Sequence, residues 1–225
     1  MNRLLRVDGT AWVALSAMLC LAAVVVTALC ANASAPSLMA TPTTRALDWQ
    51  PALGLREPWR LWTCAWVHGS AAHLAVNLAG GAVVAFVGWR ARLPAAAALA
   101  WFVAWPGTQL AMAAIDSDKL AAALPHYFGL SGVLHAGVIV LGLSLACRPA
   151  REHAQARADA SRERWIGVGI LAGTLAKVAL EAPWELAPHA SAALGIAVAP
   201  VAHACGIVAG LLAWAAVRLL GRWVR

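Results

Sequence analysis

Gly129-Leu130-Ser131-Gly132-Val133-Leu134-His135 opens an apolar segment that runs to about residue 147. A serine between small residues, at the mouth of a hydrophobic helix, has few structural reasons to be there. One distant stretch answers it: Ala202-His203-Ala204-Cys205-Gly206-Ile207-Val208-Ala209-Gly210, near the start of the last apolar run. Each side chain alone has a plain explanation. A serine can bond back to its own helix, and a buried histidine can link helices or relay protons. Read together, the two stretches place a hydroxyl and an imidazole where one can activate the other, provided their helices meet.

Composition sets the medium in which they would meet. Of the 225 residues, 62% are hydrophobic and 12% charged, whereas soluble domains carry about 25% charge. Apolar runs of membrane-spanning length recur, so the fold class expected is an all-α polytopic membrane protein forming one domain over residues 1–225. The net charge of +7 reads as topology and lipid-headgroup contact, with nucleic acid excluded as a partner. Cys20, Cys30, Cys64, Cys147 and Cys205 show no paired-ligand spacing, and thiols within apolar runs behave as small hydrophobes. Cys30 and Cys64 flank the same loop, which leaves a disulfide between them open.

Six spans are expected, at about 11–31, 68–89, 94–115, 128–147, 165–180 and 196–220. The stretch Ala31-Asn32-Ala33-Ser34-Ala35 has the small residues of a signal-peptidase site, so the first run is either a cleaved leader or a retained span. Its length, about 20 residues against the ~7–15 of a leader's apolar core, favours retention. Pro106 is expected to kink the third span. With the N-terminus cytoplasmic, the inner segments hold Arg3, Arg6, Arg90, Arg92, Arg148, Arg151, Arg157, Arg162, Arg164, Arg218, Arg222 and Arg225. The outer loops hold only Arg45, Arg56, Arg60 and Lys119. That bias puts both termini inside. Lys177 falls one turn from the outer end of the fifth span, where its ammonium can snorkel outward. The tryptophans are expected mostly as interfacial anchors.

This topology brings polar residues to one depth. Ser131 lies about one turn into the fourth span, His203 about two turns into the sixth, and His68, His73 and Asn77 within the first turns of the second. At ~1.5 Å per residue these fall within the same ~10 Å slab below the outer surface. Polar side chains in lipid are costly and turn toward a cavity or one another. His73 and Asn77, four apart, share a helix face. Gly206 and Gly210 follow His203 at three and seven, a spacing that lets helices approach closely.

Glu57-x-Trp59-Arg60, His68-x4-His73-x3-Asn77, Gly129-x-Ser131-Gly132 and Ala202-His203-x2-Gly206-x3-Gly210 together resemble the rhomboid intramembrane serine proteases, in the right order and on the right spans. Gly-Leu-Ser-Gly-Val-Leu-His and the compact six-span form look most like the rhombosortase branch, bacterial rhomboids thought to process proteins with a GlyGly-containing C-terminal anchor. The resemblance implies a Ser131–His203 catalytic dyad with no acidic third member and no cofactor. It implies an oxyanion site from His73, Asn77 and the Ser131 backbone N–H, with Gly129, Gly132, Gly206, Gly210 and His68 in support. Glu57 and Arg60 match a motif of the first loop and would be structural. Many rhomboids carry a tyrosine four residues after the serine, where this chain has His135. That ring would pack on His203, hydrogen bond to it, or compete as base.

Other classes fit the sequence less well. His68, His73, His135 and His203 would be the ligands of a metal site, but the HExxH helix of zinc proteases is absent. A non-catalytic rhomboid-like binder would tend to lose the serine or histidine. A transporter would want polar residues through the whole membrane. The outcome expected is an endopeptidase of the bacterial inner membrane, in the lipid bilayer, with its site toward the periplasm. Its substrate would be a transmembrane or C-terminally anchored protein, and a general rhomboid with other single-span substrates stands as the alternative. His126, His153 and His189 are expected in solvent.

Overall fold

The structure, a computed structural model, describes residues 8–31, 38–115, 117–148 and 154–223. Arg3, Arg6, Arg151, Arg225, His153 and residues 32–35 of the candidate cleavage site lie outside the described residues, as do the side chains of Arg157 and Arg222. The chain is an all-α membrane bundle. Its helices are α1 (Thr10–Ala31), α2 (Pro42–Leu47), α3 (Arg60–Thr63), α4 (Ala71–Arg90), α5 (Ala95–Ala113), α6 (Ser117–Ala123), α7 (Ser131–Ala146), α8 (Ala154–Leu180) and α9 (Pro200–Trp223). The six long ones fall on the six expected spans. Three are long and apolar enough to cross a membrane by length and composition: α1, α4 and α9 over Pro200–Gly221.

Two boundaries differ from the sequence expectation. Helix α8 begins eleven residues before position 165, because the charged stretch ahead of it is rich in Ala, Arg and Glu and holds no helix breaker after Pro149. The last span begins at Pro200 and not near 196, because residues 189–198 form a small hairpin. Strand β1 (His189–Ser191) pairs antiparallel with β2 (Ile196–Val198), and the turn between them uses Gly195 at φ +62°, a backbone conformation that glycine adopts without steric cost. Helix α5 continues through Pro106.

Helix α7 is the hub, packed against α9, α8, α5 and α4, while α5 also packs along α9 and α1 along α4. Close approach follows from small residues. A Cβ added at Gly137 would fall 2.5 Å from the Trp101 ring, and the Trp101 indole donates to the Val133 carbonyl at 2.8 Å. Trp12 fits the notch left by Gly88, donates to the Val84 carbonyl at 2.8 Å and stacks at a tilt on Trp101, centroids 4.6 Å apart. Trp12, Trp49, Trp101 and Trp105 are thus core residues, while Trp59, Trp89, Trp165 and Trp184 are exposed as expected of interfacial anchors. An indole offers a large apolar body and one donor, and both are used where a free backbone carbonyl lies within reach.

The first loop is fastened by buried Arg60. Its guanidinium donates to Glu57 at 2.6 Å, to the Asp48 carboxylate at 3.0 Å, and to the carbonyls of Arg45 and Asp48 at 2.8 and 2.6 Å. A buried guanidinium held through both Nε and Nη1 in this way is structural. The other Asp48 oxygen pairs with His126 at 2.6 Å, so His126 is half-exposed but not merely solvated. His189 pairs with Glu185 at 3.2 Å. Cys30 and Cys64 are separate, buried free thiols, and no disulfide joins the loop to the bundle. At the end of the bundle away from Ser131, Arg90, Arg92, Arg148, Arg162 and Arg218 surround one cavity, which gathers five of the arginines counted above on one face.

Candidate active site

Ser131 is the first residue of α7, so its own N–H and those that follow have no acceptor within the helix. The chain reaches it through Gly129, whose φ of +114° suits glycine alone. A side chain there would also strike the His73 ring, 2.7 Å from an added Cβ. Opposite, α9 carries His203 one turn from its start. Gly206 and Gly210 leave no room for side chains: an added Cβ would collide with the Gly132 carbonyl from the first, and fall 2.6 Å from the Ala136 carbonyl from the second. The two backbones therefore touch, as the glycine spacing led one to expect, and the Ser131 hydroxyl donates to His203 Nε2 at 3.0 Å.

The other nitrogen of His203 has a partner that sequence reasoning missed. Nδ1 lies 2.8 Å from Glu181 Oε2. The expectation that no acidic group accompanies the pair is corrected by this contact. Glu181 falls one residue past the end of α8. Lys177, expected to snorkel outward, is half-exposed and also reaches the site: its Nζ lies 2.8 Å from Glu181 Oε1 and 3.0 Å from His135 Nε2. Extending the depth argument to the exit of the fifth span would have put both near the level of Ser131 without showing that they face it. His135 stacks on His203, centroids 4.2 Å apart and planes 19° apart, and its Nδ1 is 2.7 Å from the Ser131 carbonyl.

On the facing helix, Ser70 caps α4 through the His73 N–H at 3.0 Å. Both His73 and Asn77 are buried on the face toward Ser131. His73 Nδ1 has no hydrogen-bond partner, and its ring packs between His68 and Phe128. His68 precedes α4 and so lies outside the span in which it was expected. Its Nδ1 is 3.2 Å from the Trp66 carbonyl, which can only accept, so Nε2 is the acceptor for the Asn77 amide at 3.0 Å. That bond fixes the orientation of Asn77. A cavity of about 880 Å³ opens between α4, α8 and the hairpin, and His73, Asn77, Ser131, His135 and His203 all line it. Among the described residues, no three His, Cys, Asp or Glu side chains come together as a metal site. Of the four rings that would have been ligands, those of His68, His135 and His203 have both nitrogens engaged in the bonds just described.

The arrangement brings a hydroxyl into hydrogen-bond contact with an imidazole, with polar groups on the facing helix and space for a chain beside them. No curated protein matches the sequence. A family model described as the Rhomboid domain matches residues 55–219, a stretch that holds every site residue named here. By that match the chain belongs to the rhomboid family, whose members are intramembrane serine proteases acting on membrane-embedded substrates.

Proposed function

We propose that this chain is an active intramembrane serine endopeptidase with Ser131 as nucleophile and His203 as general base and acid. The observation that carries it is the 3.0 Å contact between Ser131 Oγ and His203 Nε2, across a backbone-to-backbone helix crossing. Ser131 Oγ attacks the scissile carbonyl carbon while Nε2 takes its proton. The negative charge that develops on the carbonyl oxygen faces the first-turn N–H groups of α7, with His73 and Asn77 as further donors. His203 then protonates the leaving amine, and the acyl-enzyme is released by water with His203 again as base.

The substrate is a membrane-anchored protein cut near the outer boundary, entering from the side of α8 into the cavity beside α4. A scissile bond has to leave its helix first, because helical carbonyls are already bonded. Glycines near the cut ease that unwinding, which is the physical reason a GlyGly C-terminal anchor suits this site. The compartment proposed is the bacterial cytoplasmic membrane, both termini inside and Ser131 toward the periplasm.

A fluorophosphonate probe tests the nucleophile. Wild-type protein labelled on Ser131, with no labelling of Ser131→Ala, is expected, and labelling elsewhere overturns the assignment. Co-expression with a GlyGly-anchored reporter tests the branch. Release of that reporter supports the rhombosortase role, and cleavage of other single-span reporters alone points to the general rhomboid.

A further inference from the structure

We propose that Glu181 is a positioning residue for His203, held in place by Lys177, so that the site works as a Ser–His–Glu relay and not as a bare pair. This rests on the reading of Ser131 as nucleophile and His203 as base.

Five groups close a ring of hydrogen bonds in which every proton direction is forced. An ionised carboxylate only accepts and an ammonium only donates. Glu181 Oε2, 2.8 Å from His203 Nδ1, therefore requires Nδ1–H. That leaves the lone pair on Nε2, where the Ser131 hydroxyl donates at 3.0 Å. Lys177 Nζ donates to Glu181 Oε1 at 2.8 Å and to His135 Nε2 at 3.0 Å. His135 Nε2 is thereby an acceptor, so its Nδ1–H donates to the Ser131 carbonyl at 2.7 Å. The ring returns to the residue it started from. Its logic also removes His135 as a competing base, because the lone pair it would use is taken by the ammonium.

The carboxylate does for His203 what an orienting acid does for any catalytic imidazole. It selects the tautomer, fixes the ring plane and stabilises the imidazolium formed when Ser131 gives up its proton. Burial works to raise the Glu181 carboxyl, but hydrogen bonds from His203 and Lys177, and their charges, outweigh it and hold the group down at about 2. Lys177 earns a separate role because it occupies the second oxygen. Without it Glu181 is free to rotate away from Nδ1.

Glu181→Gln separates the relay from mere packing. Its amide keeps size and shape but has one oxygen for two donors. Either Lys177 or His203 loses its acceptor, and an NH2 turned toward Nδ1 would force the proton onto Nε2, facing the serine. The test is the labelling kinetics of purified full-length protein with a fluorophosphonate. Glu181→Gln is expected to lower the maximal labelling rate by about a hundredfold while half-saturation stays unchanged. Glu181→Asp, with both oxygens, should recover at least tenfold of that loss, and Lys177→Met should lower the rate about tenfold. A Glu181→Gln rate within threefold of wild type overturns the proposal. So does an equal loss in the Gln and Asp variants accompanied by weaker half-saturation. Ser131→Ala separates the two levels: persistent labelling there sinks the nucleophile assignment itself, whereas its loss beside an unaffected Glu181→Gln sinks only the relay.

Discussion

The two sides of α7 are built to opposite specifications. Toward α9, glycines at 132, 206 and 210 bring main chains into contact, and an added methyl meets a carbonyl at once. Toward α4 and α8 lies a cavity of about 880 Å³, walled in part by Val76, Gly80, Val83, Val138 and Thr174. Proton transfer needs atoms fixed to a few tenths of an ångström, and glycines at the crossing contribute no rotamers to lose or exchange. Peptide binding needs room for an unwound chain. The molecule spends its glycines where distance matters and its valines where space does.

The largest effects should come from the seam. Ser131→Ala and His203→Ala are each expected to lower cleavage of an anchored reporter by about a thousandfold or more while the protein stays in the membrane. Should His203→Ala keep activity that His135→Ala loses, the base has been misassigned. Gly206→Leu tests the seam itself: the helices must part, and activity should fall at least a hundredfold with a lower thermal midpoint in detergent. Val83→Leu, the matched change on the open side, should leave the midpoint alone and alter substrate half-saturation. Equal damage from both would erase the contrast.

Intermediate losses are expected on α4. His73→Ala and Asn77→Ala should each reduce turnover, by about a hundredfold for a well-placed oxyanion donor. His68→Ala should cost less, about tenfold, since it acts only by orienting Asn77. The smallest effect concerns acid. Glu181 titrates at about 2 in the folded protein against an ordinary 4.5. Its contribution is therefore complete above pH 4.5 and fades as pH falls from there toward 2. Activity lost reversibly between pH 7 and 5 should have another origin, and Glu181→Asp, which keeps the carboxylate, should lose activity over the same range. A loss in that range present in wild type but missing from Glu181→Asp would contradict this.

Much of this was legible in order and spacing. Hydropathy located the six long helices, and the HxxGxxxG run announced that α9 meets a neighbour at close range. Depth along each helix then brought Ser131, His73, Asn77 and His203 to one level. What stayed hidden depended on directions that spacing does not carry. Lys177 and Glu181 have the i,i+4 spacing of an ordinary surface pair, and nothing local shows that they also reach His135 and His203. His68 lies outside the α4 helix, so periodicity could not connect it to Asn77, although the two are joined by a bond. The hairpin of residues 189–198 is three residues per strand, too short for alternation to register. The buried tryptophans looked like anchors because composition cannot say which carbonyls will be free to receive an indole N–H.

The N-terminal helix has a bearing on the site that its distance from Ser131 conceals. It lies outside the matched stretch of residues 55–219, yet Ser16 donates to the Gly81 carbonyl at 2.9 Å and Trp12 to that of Val84. Those carbonyls belong to α4, one and two turns below Asn77. The helix that presents His73 and Asn77 is thus moored at its far half by a segment the family resemblance does not include. A chain trimmed to the shared domain would keep all of its site chemistry and lose the keel beneath it.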